Sequence, residues 1–333
     1  MATQSALPLT EASRSPVAAG TGGEDGGLTA RVTKTARLHA AFAPRVVAGR
    51  MVPSPVLIVL AAIGASLLLV VITTSWSVGT DEQAYWRAAS RFASGGSMYD
   101  AAALPGDSSY GYWYPPPLAQ VLVPLTSLLS PEAFTLAWTA LLLACLWWLG
   151  GRNVFVALAL IAFVPVAVEL RVRNVHLLLA VLTVLALRRS SLFWIPAAAI
   201  KVAPVLGLVY LAAARRWRDA LVAGIVGAVV LAASGLLAPA AWQDFVAVVL
   251  PQAGPSGASI LPIPFPIRFA GGAALAIVGG LLTLRGNARA GETLLVLGLV
   301  LANPTLWVTA LSMLVAIVPL WRTARAAEGA APG

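Results

Sequence analysis

The chain has 333 residues, 59% of them hydrophobic and only 11% charged, with a mean hydropathy of +0.86. Values this far above the soluble range predict an all-α polytopic membrane protein, and the net charge of +9 sits in short basic clusters between apolar runs, which argues for topology signals and against nucleic acid. The single Cys145 excludes an intramolecular disulfide or a thiolate metal site, and with His39 and His176 as the only histidines no multi-histidine metal site is expected.

Residues 1–50 are rich in Ala, Ser, Gly and Thr and carry Arg31, Lys34, Arg37, Arg45 and Arg50, the pattern of a disordered basic cytoplasmic tail. The first apolar run starts near Pro55 and has no small-residue cleavage pattern after it, so it is expected to be a retained transmembrane helix. A transmembrane domain then fills 51–323, before a cytoplasmic C-terminal tail at 324–333. Further apolar runs follow at 118–129, 132–149, 153–168, 174–187, 191–200, 204–214, 220–237, 269–284, 292–302 and 305–321. Several are shorter than the roughly 20 residues a helix needs to cross hydrocarbon. They predict half-helices, tilted spans or re-entrant segments, for about 9–11 transmembrane or half-membrane helices in all. Pro124 and Pro131 break the 118–149 stretch into a re-entrant half-helix followed by a span.

If Arg152, Arg188–Arg189, Arg215–Arg216–Arg218, Arg285–Arg289 and Arg322–Arg325 are cytoplasmic with the tail, every basic cluster obeys the positive-inside rule. The turns at 76–117, 169–176, 201–204, 238–268 and 303–305 then fall on the outer side. With them go Asp81, Glu82, Glu169, Arg171, Arg173, Asn174, His176, Lys201, Arg268 and Asn303. In the outer loop 238–268, "AAWQDFVAVVLPQ" predicts a short amphipathic helix, while "GPSGASILPIPFPIRF" is expected to be extended, as a lid or a plain connector.

Three constellations carry chemistry-bearing side chains. In "TDEQAYWRAASRFASGGSMYD" (80–100) the spacing places Asp81, Tyr85, Ala88 and Phe92 on one face of a helix along the membrane surface, ended by Gly95–Gly96. The aromatics of the following "YGYWYPPPL" are expected at a membrane interface, with Pro115 to Pro117 setting the entry to the next helix. The acids there are either solvated helix-end residues or a general base for a sugar hydroxyl. In "ELRVRNVHLLL" (169–179), Arg171 and Arg173 either face an anion such as phosphate or snorkel to headgroups with Glu169 paired to one of them. His176 alone reads as a packing histidine. Lys201 in "AAAIKVAP" is the only lysine after the tail; with nothing local to neutralise it, water or an anion must reach it.

With these residues in order, the chain resembles glycosyltransferase family 87, polyprenyl-phosphate-mannose-dependent mannosyltransferases of the C-type membrane fold. The resemblance rests on an acid after the first span, "ASGGSMYD", "YWYPPPLAQVLVPLTSLL", "RNVH" where the family shows a Gly-Gln-x-Asn motif, and "IKVAPVLGLVYLAAARRWRDAL". It implies Asp81 as catalytic base, with Glu82 its nearest rival and Asp100 structural. Asn174 takes the place of the motif Gln, His176 that of its Asn, and Lys201 that of a lysine on the donor phosphate. Arg171 and Arg173 join Lys201 as candidates for the phosphate, and Glu82, Tyr85, Tyr114, Asn174 and His176 for sugar or acceptor. The chain departs from the pattern at Arg173, in place of the motif Gly, and at Thr309, where many relatives have His; Pro304 and Trp307 are kept.

The implied reaction is inverting transfer of a sugar, mannose by resemblance alone, from a polyprenyl-phosphate donor to a cell-envelope glycan or glycolipid on the outer face of the plasma membrane. Bilayer, donor and acceptor are the implied partners, with no nucleic acid. No dedicated metal cage is evident, yet Asp81 and Glu82 could share a divalent ion, which leaves metal dependence open. A transporter or flippase of a lipid-linked sugar is the alternative, although no internal repeat supports it. A scaffold for other envelope enzymes is a third reading.

Overall fold

A computed structural model describes residues 45–47, 50–75, 81–99, 111–249 and 259–322. Most of the expected tail, together with Asp100, Pro255 and 324–333, lies outside them. Arg45–Val47 (β1) pairs antiparallel with Arg50–Val52 (β2) as a small hairpin, in a stretch read as tail. Among the described residues, everything else regular is helical.

The helices are α1 Pro55–Ser75, α2 Asp81–Ala93, α3 Pro116–Leu128, α4 Pro131–Leu149, α5 Val154–Ile161, α6 Val164–Val172, α7 His176–Arg188, α8 Trp194–Ile200, α9 Leu206–Ala213, α10 Trp217–Leu237, α11 Pro239–Asp244, α12 Phe265–Leu284 and α13 Ala288–Leu301. A 3₁₀ segment, Val308–Ala316, ends the bundle. Among the described residues four helices, α1, α4, α10 and α12, are long and apolar enough to cross a membrane, and the pair α5–α6 adds a fifth span if its 88° bend is one crossing. Exposed Val59 and Leu69 on α1, and Leu221, Ile225, Val229 and Leu236 on α10, are the apolar surface that lipid would cover. This is an all-α polytopic membrane protein.

Proline sets several helix starts, because its missing N–H costs nothing in the first turn. Pro116 and Pro117 open α3; Pro131 opens α4 behind Ser130, whose hydroxyl accepts from the Ala133 N–H. The stretch 118–149, read as a re-entrant half-helix followed by a span, divides at Leu129–Ser130 into a short helix, α3, and one of span length, α4. The 153–168 run, by contrast, is not one helix. Pro165 lies in the first turn of a new helix, and the chain turns at Ala162–Phe163. The end of the Pro-rich segment also departs from expectation: Pro266 sits in the first turn of α12, so "FPIRF" (265–269) is helical rather than extended. In α12 and α13, glycines recur at seven-residue spacing and face one another. A Cβ on Gly272 would meet the Gly298 carbonyl oxygen at 2.6 Å, and one on Gly279 the Gly291 oxygen at 2.5 Å, so the two backbones approach as only small residues permit.

The opening helix α2 packs on α3 and α4. Its buried face is Glu82, Ala84, Tyr85, Ala88 and Ala89, rotated slightly from the expected stripe: Glu82 goes under and Asp81 stays at the edge, half-buried. Gly95, at φ +81°, ends the turn after it as expected. Tyr110 lies outside the described residues; of the aromatics that follow, two tyrosines are core and not an interface belt. Tyr112 and Tyr114 are buried, and their hydroxyls are used internally. Tyr112 donates to the Pro115 carbonyl at 2.8 Å, and Tyr99 donates to the Tyr114 carbonyl at 2.7 Å. A buried phenol must find such partners, and the proline corner supplies them.

Candidate active site

Four pieces of chain converge at one end of the bundle: the start of α2, the aromatic corner before α3, the α6–α7 junction and the α8–α9 junction. The α6–α7 junction is sharp because Arg173 adopts a left-handed conformation, φ 55°, which ends α6 and lets α7 start at His176 three residues later. Non-glycine residues seldom take that conformation. Here it is held by partners on both sides: the Arg173 carbonyl accepts from Trp138 Nε1 at 2.9 Å, and its side chain is bound as described next.

Arg173 Nη1 donates to Glu82 Oε1 at 3.1 Å and Nε to Thr139 Oγ1 at 3.0 Å, while Thr135 Oγ1 donates to the same Glu82 oxygen at 3.3 Å. Both charged side chains are almost wholly buried, 4% and 0% exposed. Burial raises the Glu82 carboxyl, and the Arg173 guanidinium opposes that shift. The pair ties α2 to α4 and to the end of α6. Arg171, two residues earlier, is exposed, so the two arginines named together as phosphate candidates occupy different environments.

Asp81 takes a separate set of partners. Asn174 Nδ2 donates to its Oδ2 at 2.6 Å, and because a carboxylate only accepts, this fixes which way the amide faces. The amide oxygen then points the other way and accepts from Tyr114 at 3.0 Å. Tyr85 in turn donates to the Tyr114 hydroxyl at 2.9 Å. Tyr85 and Tyr114, also in edge contact at 4.9 Å between centroids, stand behind Asn174 as its support. Burial pushes the Asp81 carboxyl up to about 7, with the Lys201 ammonium pulling against it. A carboxylate poised there exchanges a proton near neutral pH.

Lys201, in extended backbone just after α8, reaches into the same end. Its Nζ lies 2.8 Å from His176 Nε2 and 5.2 Å from the centre of the Tyr114 ring, and it interacts electrostatically with both Asp81 and Glu169. One of the two readings of 169–179 paired Glu169 with Arg171 or Arg173; the side chain turns instead to the start of α7. Its Oε1 accepts from the backbone N–H of His176 at 2.5 Å and of Leu177 at 3.3 Å, and its Oε2 lies 3.0 Å from His176 Nδ1. It therefore caps α7 from outside that helix and holds the His176 ring as well. Arg268 and Asn303, assigned to the same outer face, serve the backbone instead. Arg268 is buried and donates to the carbonyls of Ile263, Asn303 and Pro304 at 2.9, 2.5 and 2.6 Å.

Glycosyltransferase family 87 matches residues 112–331, about two thirds of the chain. The chain belongs to that family. No curated protein and no solved structure matches it. As a family 87 protein it is a membrane glycosyltransferase, and the match takes in Asn174, His176 and Lys201 while starting after Asp81, Glu82 and Tyr85. The acids of α2 thus owe their place in the site to geometry, since Asn174 and Arg173, both within the matched region, bind them. Thr135, Trp138 and Thr139 were missed in the sequence. Their i, i+3, i+4 spacing inside an otherwise apolar helix was the available signal for one polar stripe on α4.

Proposed function

We propose that this family 87 glycosyltransferase moves mannose, with inversion, from a polyprenyl-phosphate donor to a cell-envelope glycan or glycolipid on the extracytoplasmic face of the plasma membrane. The observation that carries the reading is the pairing, in one electrostatic neighbourhood, of a half-buried carboxylate, Asp81, with Lys201, whose described hydrogen-bond partner is a neutral imidazole and not a carboxylate. Inverting transfer needs both: a base at the acceptor hydroxyl and positive charge at the leaving phosphate.

In the proposed step, Asp81 accepts the proton of the acceptor hydroxyl as that oxygen bonds to the anomeric carbon. The bond from that carbon to the phosphate oxygen breaks, its electron pair stays on the phosphate, and polyprenyl phosphate leaves with one more negative charge. Lys201 faces that growing charge, and exposed Arg171 is a second candidate for it. Glu82 is the weaker base, because it is fully buried and already bound to Arg173. Arg173 acts as a strut, not as a phosphate ligand, and Asn174, Tyr114 and Tyr85 orient Asp81 against the sugar.

A lipid-borne donor also suits the surroundings of Lys201. A cavity of about 190 Å³ is lined by Trp194, Ala198 and Ala199 of α8, Val205 just after Lys201, and Gly224 and Gly227 of α10. Ala199 is two residues from Lys201 in the chain, and this apolar groove is the place we assign to the prenyl chain of the donor.

The test uses membranes carrying the wild type or Asp81→Asn, given radiolabelled polyprenyl-phosphate-mannose and a mannoside acceptor. Label is expected to move only with the wild type. Equal transfer by both would remove Asp81 as base. Donor movement across vesicles without transfer would favour a transporter.

A further inference from the structure

Glu169 has so far only a structural part, as the cap of α7. Its second oxygen suggests more, because it bonds the imidazole that touches Lys201. We propose that Glu169 is a positioning residue of the transferase site: it locks His176 as the Nδ1–H tautomer, so that Nε2 accepts from the Lys201 ammonium and aims it.

The argument follows from donor and acceptor capacity. Glu169 Oε1 accepts two backbone N–H groups, and these donors, with the Lys201 ammonium nearby, favour the ionised carboxylate assigned to it. Its Oε2, 3.0 Å from His176 Nδ1, then also accepts, and the ring proton must sit on Nδ1. That leaves Nε2 with a lone pair 2.8 Å from an ammonium that can only donate. The ring is 2% exposed, so water cannot readily substitute for either partner. Lys201 has three N–H donors; His176 takes one, and the Tyr114 ring face stands near the ammonium. The remaining donor capacity is what an anionic substrate would use.

A direct Lys201–Glu169 hydrogen bond would have neutralised the cation. A neutral imidazole between them orients the ammonium and leaves its charge available. The functional half of this proposal rests on reading Lys201 as the phosphate-binding cation; the tautomer does not.

The chain has only two histidines, and His39 lies far from these residues in sequence. Full-length protein carrying His39→Gln, in lipid nanodiscs and labelled with ¹⁵N-histidine, therefore reports the His176 ring alone by NMR. The expected spectrum has a protonated Nδ1 and an unprotonated Nε2. A proton on Nε2, or on both nitrogens, overturns the proposal. Glu169→Gln keeps an oxygen for the backbone N–H groups of α7 but presents an amide N–H to Nδ1, and is expected to move the ring proton to Nε2, opposite the ammonium. In that variant the KM for the lipid-phosphate donor is expected to rise about ten-fold, as loss of a charge-assisted hydrogen bond implies. A Glu169→Gln protein with an unmoved tautomer overturns the proposal. One with a moved tautomer and unchanged KM overturns its functional half. Because the spectrum needs no donor, failure of the transfer reading would leave the tautomer result standing.

Discussion

Helices α4 and α7 each run from the candidate site to an opposite end of the bundle, and the two ends treat buried charge differently. At the far end, Arg188 grips Glu292 with both arms of its guanidinium, one at 2.6 Å, and adds the Leu320 carbonyl at 3.2 Å. Arg322 closes on the Gly150 carbonyl at 2.8 Å. At the site end, Arg173 and Glu82 repeat that closed arrangement, but Lys201 meets a neutral imidazole and Asp81 meets an amide. A planar fork suits a pair that should stay shut, while a single ammonium held by a neutral ring keeps its charge for a substrate. Chemical readiness, not the number of charges, separates the two ends.

The strongest way to break the comparison is to exchange which property is lost. Asp81→Asn is expected to lower transfer by about 10²–10⁴-fold, the usual span for a general base, with thermal unfolding no earlier than that of the wild type. Labelled-sugar transfer and a melting curve on the same preparation would check both. Next comes Arg173→Met, which strands the Glu82 carboxylate in the interior. It should cost about 3–5 kcal/mol, and adding Glu82→Gln should return part of that, as a denaturation series on the single and double variants would reveal. A smaller loss, about 3 kcal/mol, is expected for Arg188→Ala, since Arg188 retains some access to solvent. Transfer per folded molecule should then be unchanged, because the far end holds no reacting group; specific activity normalised to folded protein is the measure.

A last effect is in pH. Asp81 is raised from 3.8 to about 7, so between those values the native state holds a proton that the unfolded chain has released. Its contribution to stability therefore falls as pH rises from about 4 to about 7 and is level above. Transfer needs the ionised form, so kcat/KM should climb through pH 7 as that stability is lost. Asp81→Asn should flatten this part of the stability curve, readable in melting temperatures across the range.

Much of the helical plan was legible in order along the chain. Gly95–Gly96, Pro116–Pro117 and Pro131 act through local backbone chemistry, so the ends they mark appear where the residues stand. Pro165 carried the same information, but the apolar run around it concealed the elbow. Within the site, Asp81, Asn174, His176 and Lys201 were visible as polar residues that apolar neighbours could not explain. The tyrosines of "YGYWY" misled, since an amphipathic ring fits an interface or a hydrogen-bonded core equally well, and only the carbonyls of a folded corner decide. Glu169 misled for a related reason: with two arginines close by, the sequence offered an ion pair, whereas the turn at Arg173 carried the guanidinium to Glu82.

By itself, the sequence determined that this chain belongs in a membrane, where several of its helices start or end, and which segments hold ionisable groups too costly to leave without purpose. Those properties depend on composition and on interactions a few residues long. Only the tertiary structure decided the pairing: Arg173 with Glu82, Asn174 with Asp81, and Lys201 with His176. These partners lie 91, 93 and 25 residues apart, and periodicity can say which face a side chain lies on but not what meets it there.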